Sequence, residues 1–490
     1  MPSPRQRWDN ALVILADGAR PDVMDNLVRA GEMPAFKKHF SDAGGFRTAT
    51  SVFPTVSGPA HLPVLCGAHP GRANLPGIRW AERPTRGRSF LGRTRSYMAP
   101  WRSTKLQRDV PGDISTLFSH VPHMADINTW FVRGCPAHAR RTRFSKVVSF
   151  ARSFITRDWW SSDRQSERAL VGALRGGYRS AFAVFPAIDE LGHRFGPTTD
   201  ESLESYRRFD ASLGRIMDEL ARLGRADRTL VMITSDHGQS ATHTHIDLDD
   251  LVAAVFPRTL CYPKLWRHLF SAEAAVMVSG NSMANVYLRG PDGWQERPDV
   301  ERDGSREAEL CARLIGHQAI QHIIYRRVCE DTNRACHVIA DKNGKLVIEA
   351  PAGRVLLDMP VTLRVEGSNP LGPDARTGTL PPRDLDDPGH TSRFPDAVWQ
   401  VLEFFRSTRA GDVIVCAKQG FDLRSRFEYQ PHNGSHGCLD REHMLIPAAV
   451  NARWGAGSIR SVDLFPSLLN ALGRTPPSDI DGEHREIERP

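Results

Sequence analysis

Three short apolar runs, each followed closely by a carboxylate, constrain this chain more than any other feature. Residues 11–16 read ALVILA and lead into Asp17-Gly18. Residues 181–186 read AFAVFP and precede Asp189, and residues 229–234 read TLVMIT and run into Ser235-Asp236-His237-Gly238. Continuous apolar runs this short mark strands buried on both faces of a parallel sheet. Helical patterns lie between them. Pro21-Asp22 opens a helix over 21–31, and Leu203, Tyr206, Phe209, Leu213, Met217, Leu220 and Leu223 form one stripe along 200–224, suited to packing on a sheet. Strands alternating with helices predict an α/β fold with a mostly parallel sheet. Polar residues just past several strands place a site at the carboxyl edge of that sheet.

The alternation breaks in three places. Residues 79–110 are rich in Arg, Gly and Pro and are expected to form a long loop. Residues 243–410 read as a large insertion with strand-like pieces at Ala284 to Leu288 and His337 to Ile348, the latter turning at Asp341-Lys342-Asn343-Gly344. Within it, 366–395 is rich in Pro, Gly and Asp and reads as loop. The apolar run 412–417 (DVIVCA) is a further strand candidate, where the strand–helix rhythm resumes. The expected organisation is a catalytic α/β domain in two parts, 1–242 and 411–490, with 243–410 as a cap region. No internal repeat is present.

Composition excludes several classes. The 490 residues are 40% hydrophobic and 25% charged, as in a globular enzyme rather than a disordered chain. No run of ~20 apolar residues is present, so no membrane span is expected. The basic start, Met1 to Asn10, lacks a following apolar segment with a cleavage site, and the expected compartment is the cytoplasm. The net charge of +7 comes with no nucleic-acid motif, so no specific nucleic-acid binding is expected. The eight cysteines form no C-x-x-C pair, which argues against a disulfide scaffold or a thiolate zinc site and leaves them as buried or idle thiols.

The chemistry sits in four distant segments: Asp17 in LADGARPD, Asp189 and His193 in AIDELGHRFGP, Asp236 and His237 in ITSDHGQ, and His436 in NGSHGCLDREHMLIP. Asp189 and His193, spaced i, i+4, share one helical face and could bind one metal. Together the three Asp and three His make an oxygen–nitrogen donor set for two divalent ions, with zinc the best fit and manganese also acceptable. Between the first two segments runs SVFPTVSGPAHLPVLCGAHPG, which carries Ser57.

With these motifs in order, the chain resembles the alkaline phosphatase superfamily, closest to its nucleotide pyrophosphatase/phosphodiesterase branch. LADGARPD, FPTVSGPAH, DELGHRFGP, SDHGQ and GSHG carry the resemblance, and IRSVDLFPSLLNALG…PPSDIDG resembles the family's closing helix and tail. It covers 11–240 and 410–482. The resemblance implies an alkaline-phosphatase-like central sheet flanked by helices, with Asp189, His193 and His436 on one metal and Asp17, Asp236 and His237 on the other. Ser57 falls at the nucleophile, also touching metal, with Thr55 as the alternative. The resemblance further implies hydrolysis of a small phosphate ester through a phosphoseryl intermediate. A phosphodiesterase is the first reading, and a phosphomonoesterase or mutase-like phosphotransferase the alternative. Ala60 stands where such phosphodiesterases often have Asn, so the backbone N–H of Gly58 or an arginine is expected to replace a lost donor. The arginines 79, 83, 86, 88, 93, 95, 102 and 108 either bind an anionic part of the substrate or line a solvated loop. His243 and His245 are candidates for extra ligands or plain loop residues. Oligomeric state is not legible.

Overall fold

The computed structural model describes residues 7–83, 90, 93–98, 102, 105–263, 267–291, 293–329, 331, 333–352, 359–373, 375–381, 392–424, 426, 428 and 431–489. The three acid-terminated runs form the middle of a six-stranded sheet. Its order is Phe46–Thr50, Leu445–Val450, Thr229–Thr234, Asn10–Ala16, Ser180–Phe185, Met124–Ile127. The last four strands are mutually parallel, Leu445–Val450 runs antiparallel to them, and Phe46–Thr50, antiparallel to Leu445–Val450, runs in their direction. Every residue of Asn10–Ala16 is buried, which is why its sequence is apolar without alternation. Ala11, Val13 and Leu15 enter the core on one face, and Leu12, Ile14 and Ala16 enter the core on the other. The helices Pro21–Arg29 and Asp200–Arg222 pack against the second face through Met24, Leu27, Phe209, Leu213 and Leu220. The α/β class with a mostly parallel, helix-flanked sheet is therefore the observed one.

Three strands of this sheet escaped the sequence reading. Leu445–Val450 carries Pro447 in its middle, and Phe46–Thr50 and Met124–Ile127 are short edge strands with polar residues. The apolar run of Leu445–Val450 is interrupted by a proline that argues against a central strand, and the other two strands are short and carry polar residues.

A second sheet has nine strands. Its order is Gly378–Leu380, Val361–Gly367, Gly344–Pro351, Arg334–Ala340, Ile320–Arg327, Val413–Ala417, Met283–Leu288, Ala274–Ser279, Thr259–Cys261. All neighbours in it are antiparallel except the last pair. The strand expected at 412–417 forms, but it lies between Ile320–Arg327 and Met283–Leu288. It does not resume the central sheet, which the chain re-enters at Leu445. An apolar run announces a strand but not which sheet will take it. The stretch 366–395, read as loop, contributes the end of Val361–Gly367 and the short strand Gly378–Leu380.

Two further expectations change. The stretch 79–110 contains the hairpin Arg79–Ala81 with Thr94–Ser96. The thiols are also not all idle, because Cys329 and Cys336 form a disulfide. The hairpin between Ile320–Arg327 and Arg334–Ala340 sets Arg327 opposite Cys336, which brings Cys329 within reach. The six other cysteines are free, and five of them are buried. Alkylation after unfolding without reductant is expected to label six cysteines. Labelling of all eight would show that the Cys329–Cys336 bond does not form.

Candidate metal centre and its cavity

Adjacent parallel strands deliver the carboxylates. Asp17 follows Asn10–Ala16, Asp236 lies two residues beyond Thr229–Thr234, and Asp189 sits in the first turn of the helix Ala187–Phe195 that follows Ser180–Phe185. The backbone N–H of Asp17 donates to Phe185 O at 3.0 Å, tying the first strand end to the third. Asp189 and His193 share the helix face expected from their spacing, with His193 Nε2 3.6 Å from Asp189 Oδ2. Gly18 adopts φ +73°, and a Cβ there would stand 2.8 Å from Asp189 Cα and Cβ. Only glycine allows that turn and that approach together.

All six expected ligands come together. His237 Nε2 lies 3.3 Å from Asp236 Oδ2 and 3.7 Å from Asp17 Oδ1. His436 Nε2 lies 3.1 Å from His193 Nε2 and 3.9 Å from Asp189 Oδ1. The His237 and His436 rings stack with centroids 3.7 Å apart, so the two halves form one continuous centre. Asp189, His237 and His436 form one group able to hold an ion, and Asp17, His61 and Asp236 form another.

The remaining nitrogen of each of the three expected histidines faces a main-chain carbonyl. His193 Nδ1 meets Gly434 O at 2.6 Å, His436 Nδ1 meets Thr55 O at 2.7 Å, and His237 Nδ1 meets Gly238 O at 3.1 Å. A carbonyl only accepts, so each Nδ1 carries the proton and each Nε2 lone pair points into the centre. That is the tautomer a cation requires. Gln239 Nε2 donates to Asp189 O at 2.9 Å and also to Asp189 Oδ1. Arg20 donates to Gln239 O at 3.0 Å and pairs with Asp22, pinning the turn that carries Asp236 and His237.

The electrostatics favour cations. Burial, and then the charges of Asp236 and Asp189, push Asp17 well above the usual carboxylate range. Burial also works upward on Asp236, but His237 and His61 outweigh it and hold Asp236 below that range. Burial, with His237 and His193 beside it, holds the His436 imidazole neutral. Asp236 Oδ2 and both ring nitrogens of His61 are buried without a hydrogen-bond partner. Three clustered acids with orphaned donor atoms fit divalent cations of the oxygen–nitrogen type.

Ser57 faces this centre. Its hydroxyl lies 2.9 Å from His237 Nε2 and 3.3 Å from Asp17 Oδ1. Thr55 does not. It is fully buried, and its hydroxyl donates to Cys438 O at 2.9 Å and accepts from Gly437 N at 3.0 Å. Its hydroxyl is thereby committed to holding the loop that carries His436, which removes it as an alternative nucleophile. Ala60 packs with Val52 and Val462 in a small apolar cluster and is absent from the cavity wall. The alanine side chain at this position thus makes no contact with the cavity.

Two residues escaped the sequence reading. His61 is wholly buried with Nε2 3.3 Å from Asp236 Oδ2 and 3.8 Å from Asp17 Oδ2. Its spacing of four from Ser57 across the turn Pro59–His61 was the available signal. Lys146 carried no signal. It lines the same cavity of about 240 Å³ as Asp17, Ser57, Asp189, His193 and His436. Its ammonium donates to the carbonyls of Asn128 (3.0 Å) and Thr129 (2.9 Å), and no carboxylate pairs with it among the described residues. Burial pushes it down to about 8, against the pull of Asp126 and Asp17. Trp130, Phe150, Phe154, Trp159 and Met98 give the cavity apolar walls.

The arginines are elsewhere. Arg79 is buried and donates to Val278 O, and Arg83 pairs with Asp412 and donates to Leu288 O and Trp294 O. Arg95 lies against Asp109 and Glu82. Arg79 and Arg83 thus tie the hairpin segment to the second sheet instead of lining the cavity, and Arg86 and Arg88 lie outside the described residues. His243 bonds to Thr244 and His245 to His432 O, outside the cluster.

Residues 11–317 match the family described as type I phosphodiesterase / nucleotide pyrophosphatase. GPI ethanolamine phosphate transferase 1 of Gibberella zeae is 23% identical over 267 residues, 50% of this chain and 25% of that protein. Ectonucleotide pyrophosphatase/phosphodiesterase family member 7 of Homo sapiens is 40% identical over 56 residues, 11% of this chain and 12% of that protein. The chain therefore spans a quarter or less of the length of these curated relatives. Among solved structures, phosphonoacetate hydrolase from Sinorhizobium meliloti 1021 in complex with phosphonoacetate superposes with a TM-score of 0.56 at 16% identity, covering 95% of this chain and 96% of that one. Murine ectonucleotide pyrophosphatase/phosphodiesterase 5, inactive and in complex with AMP, gives 0.56 at 13% identity, covering 98% of each chain. At these identities the likeness is one of fold.

Two outcomes follow from the geometry. Adding a divalent cation to chelator-treated protein should raise its melting temperature, because the ion binds only the assembled carboxylates. Gly18→Ala should weaken cation affinity by at least about tenfold in calorimetric titration, since the strained turn and the Cβ contact both displace Asp189. Equal affinity in the variant would show that Asp189 is not a ligand.

Proposed function

The chain belongs to the type I phosphodiesterase / nucleotide pyrophosphatase family, and on that premise we propose that it hydrolyses phosphate esters, diesters first, with Ser57 as nucleophile at a two-metal centre. The observation that carries this reading is the Ser57 hydroxyl, set between Asp17 and His237 on the wall of a cavity that also holds Asp189, His193 and His436.

Asp189, His193 and His436 would hold one ion, and Asp17, Asp236, His237 and Ser57 the other, with His61 backing Asp236. Zinc suits this imidazole-rich set best. When bound, the pair would supply positive charge to the phosphoryl oxygens and the leaving oxygen. The chain's own residues do the rest. Ser57 Oγ gives up its proton and forms a bond to phosphorus as the ester oxygen leaves on the opposite side and takes up a proton, giving a phosphoserine. Water then attacks phosphorus, the Oγ–P bond breaks, and a proton from that water returns to Oγ. Lys146 would place its remaining N–H on a non-bridging phosphoryl oxygen, which explains a buried ammonium held by neutral carbonyls and the rings of Trp130 and Phe150. The aromatic walls would take the organic arm of the ester and exclude water around it.

The cytoplasmic location expected from the sequence stays a proposal. The Cys329–Cys336 disulfide weighs against it, because such bonds persist mainly in oxidising compartments.

Initial rates on bis-p-nitrophenyl phosphate and p-nitrophenyl phosphate test the reading. The zinc-loaded protein should favour the diester, and Ser57→Ala should abolish turnover while still binding zinc. Turnover persisting in Ser57→Ala would remove Ser57 as nucleophile, and a dominant monoester rate would move the assignment to a phosphatase or phosphotransferase. Lys146→Met should lower kcat/KM by about 10- to 100-fold with unchanged zinc content, the scale of one charged hydrogen bond. An undiminished rate would leave Lys146 with a structural role only.

A further inference from the structure

The helix Ser145–Thr156 is amphipathic in the reverse sense. A surface helix ordinarily turns its apolar stripe inward. Here the buried residues are polar: Lys146, facing the cavity, and Ser153, bonded to Asp158 O and Ser162. Three apolar residues point outward, while Phe150 packs inward on Trp159. Val148 is 68% exposed, Ile155 79%, and Phe144, just before the helix, 77%. Their spacings of four and seven put them on one stripe. Phe154 and Met98 are also exposed, and both line the catalytic cavity, so apolar surface continues to its rim. Of the large hydrophobic side chains exposed among the described residues, only Phe270 and Val328 lie elsewhere.

The charge around this stripe is of one sign. Between Asp126 and Asp158 the sequence contains no acid, but it contains Arg133, Arg140, Arg141, Arg143, Lys146, Arg152 and Arg157. Arg133 and Arg140 are used internally on main-chain carbonyls. Arg141, Arg143, Arg152 and Arg157 are exposed, with Arg141 over the Tyr178 ring and Arg143 over the Phe144 ring. The inner face of the helix is tied down by Ser149 and Ser153 through Ser162, so one face only is available. A groove that wraps a helix needs more of its circumference, whereas a flat partner needs one face.

We propose that this helix docks the rim of the catalytic cavity on an anionic lipid surface. Phe144, Val148 and Ile155 would leave water for the boundary between head groups and acyl chains, and the four exposed arginines would meet anionic head groups. No helix among the described residues is long and apolar enough to cross a membrane, so the contact is with one leaflet. The cavity would then open toward phosphate esters presented at that surface.

Vesicle sedimentation tests this without relying on catalysis. The whole protein should bind vesicles of phosphatidylcholine mixed with phosphatidylserine at least about tenfold more tightly than vesicles of phosphatidylcholine alone, and salt should weaken the binding. The double variant Phe144→Ser, Ile155→Ser should lose the binding while hydrolysing soluble bis-p-nitrophenyl phosphate within about twofold of the parent. Should that variant fail to fold, Arg141→Gln with Arg152→Gln should retain the fold and lose the preference for the anionic vesicles. No vesicle binding by the parent, or equal binding by the variants, would overturn the proposal. Binding to an acidic peptide with no vesicle binding would overturn it in favour of a protein partner.

Discussion

Three carboxylates held together at the ends of adjacent parallel strands are the constraint on which the rest of this structure turns. Asp236, Asp17 and Asp189 lie on neighbouring strand ends because Thr229–Thr234, Asn10–Ala16 and Ser180–Phe185 are neighbours in the sheet. Buried together they repel, and Asp17 shows the strain by the upward push it receives from the other two. A parallel sheet has no means of separating them, since its register sets their spacing. The repulsion must be met by positive charge, and the Lys146 ammonium lines the same cavity. Under the proposed function divalent cations would meet the remainder, which would make the site a product of the sheet's topology as much as of its chemistry.

The histidines show how the surrounding structure serves this centre. Gly434, Thr55 and Gly238 each offer a carbonyl to one Nδ1, and each comes from a different segment. The two-residue strand Gly434–Ser435 pairs with Ser240–His245, and Asn281, in the turn between Ala274–Ser279 and Met283–Leu288 of the second sheet, bridges His436. The second sheet therefore reaches the catalytic centre through backbone, helping to fix the loop that carries a ligand. Thr55 adds its hydroxyl to the same loop. A side chain two residues from the nucleophile is thus occupied in orienting a ligand on a distant segment.

Lys146 and the helix that carries it join the two proposals. One face of Ser145–Thr156 gives a buried ammonium to the cavity, and the opposite face gives apolar side chains to solvent. In water the second arrangement is unfavourable, and it becomes favourable on contact with an apolar boundary. The helix thus reads as an element built for two surfaces at once, a phosphate on the inside and a lipid head-group layer on the outside.

Much of the centre was legible because its parts obey local rules. An apolar run followed by an acid marks a buried strand and its end, and an i, i+4 Asp–His pair marks one helix face, so Asp17, Asp189, His193, Asp236 and His237 could be picked out, although only their combination pointed to a metal set. The α/β class was legible for the same reason, since strand and helix periodicities are properties of neighbouring residues. The sequence could not show that Val413–Ala417 joins the second sheet, that Cys329 and Cys336 meet across a hairpin, that Ala60 turns into an apolar cluster, or that Thr55 is hidden. Nor could it show His61 beside Asp236 or Lys146 in the cavity wall. Each of these depends on which distant segment lies next to a residue, and sequence periodicity carries no information about that. The amino-acid sequence by itself determined the strands, their terminal acids and the donor set. Tertiary packing decided which side chains share the cavity, because orientation and burial are set by contacts between segments hundreds of residues apart.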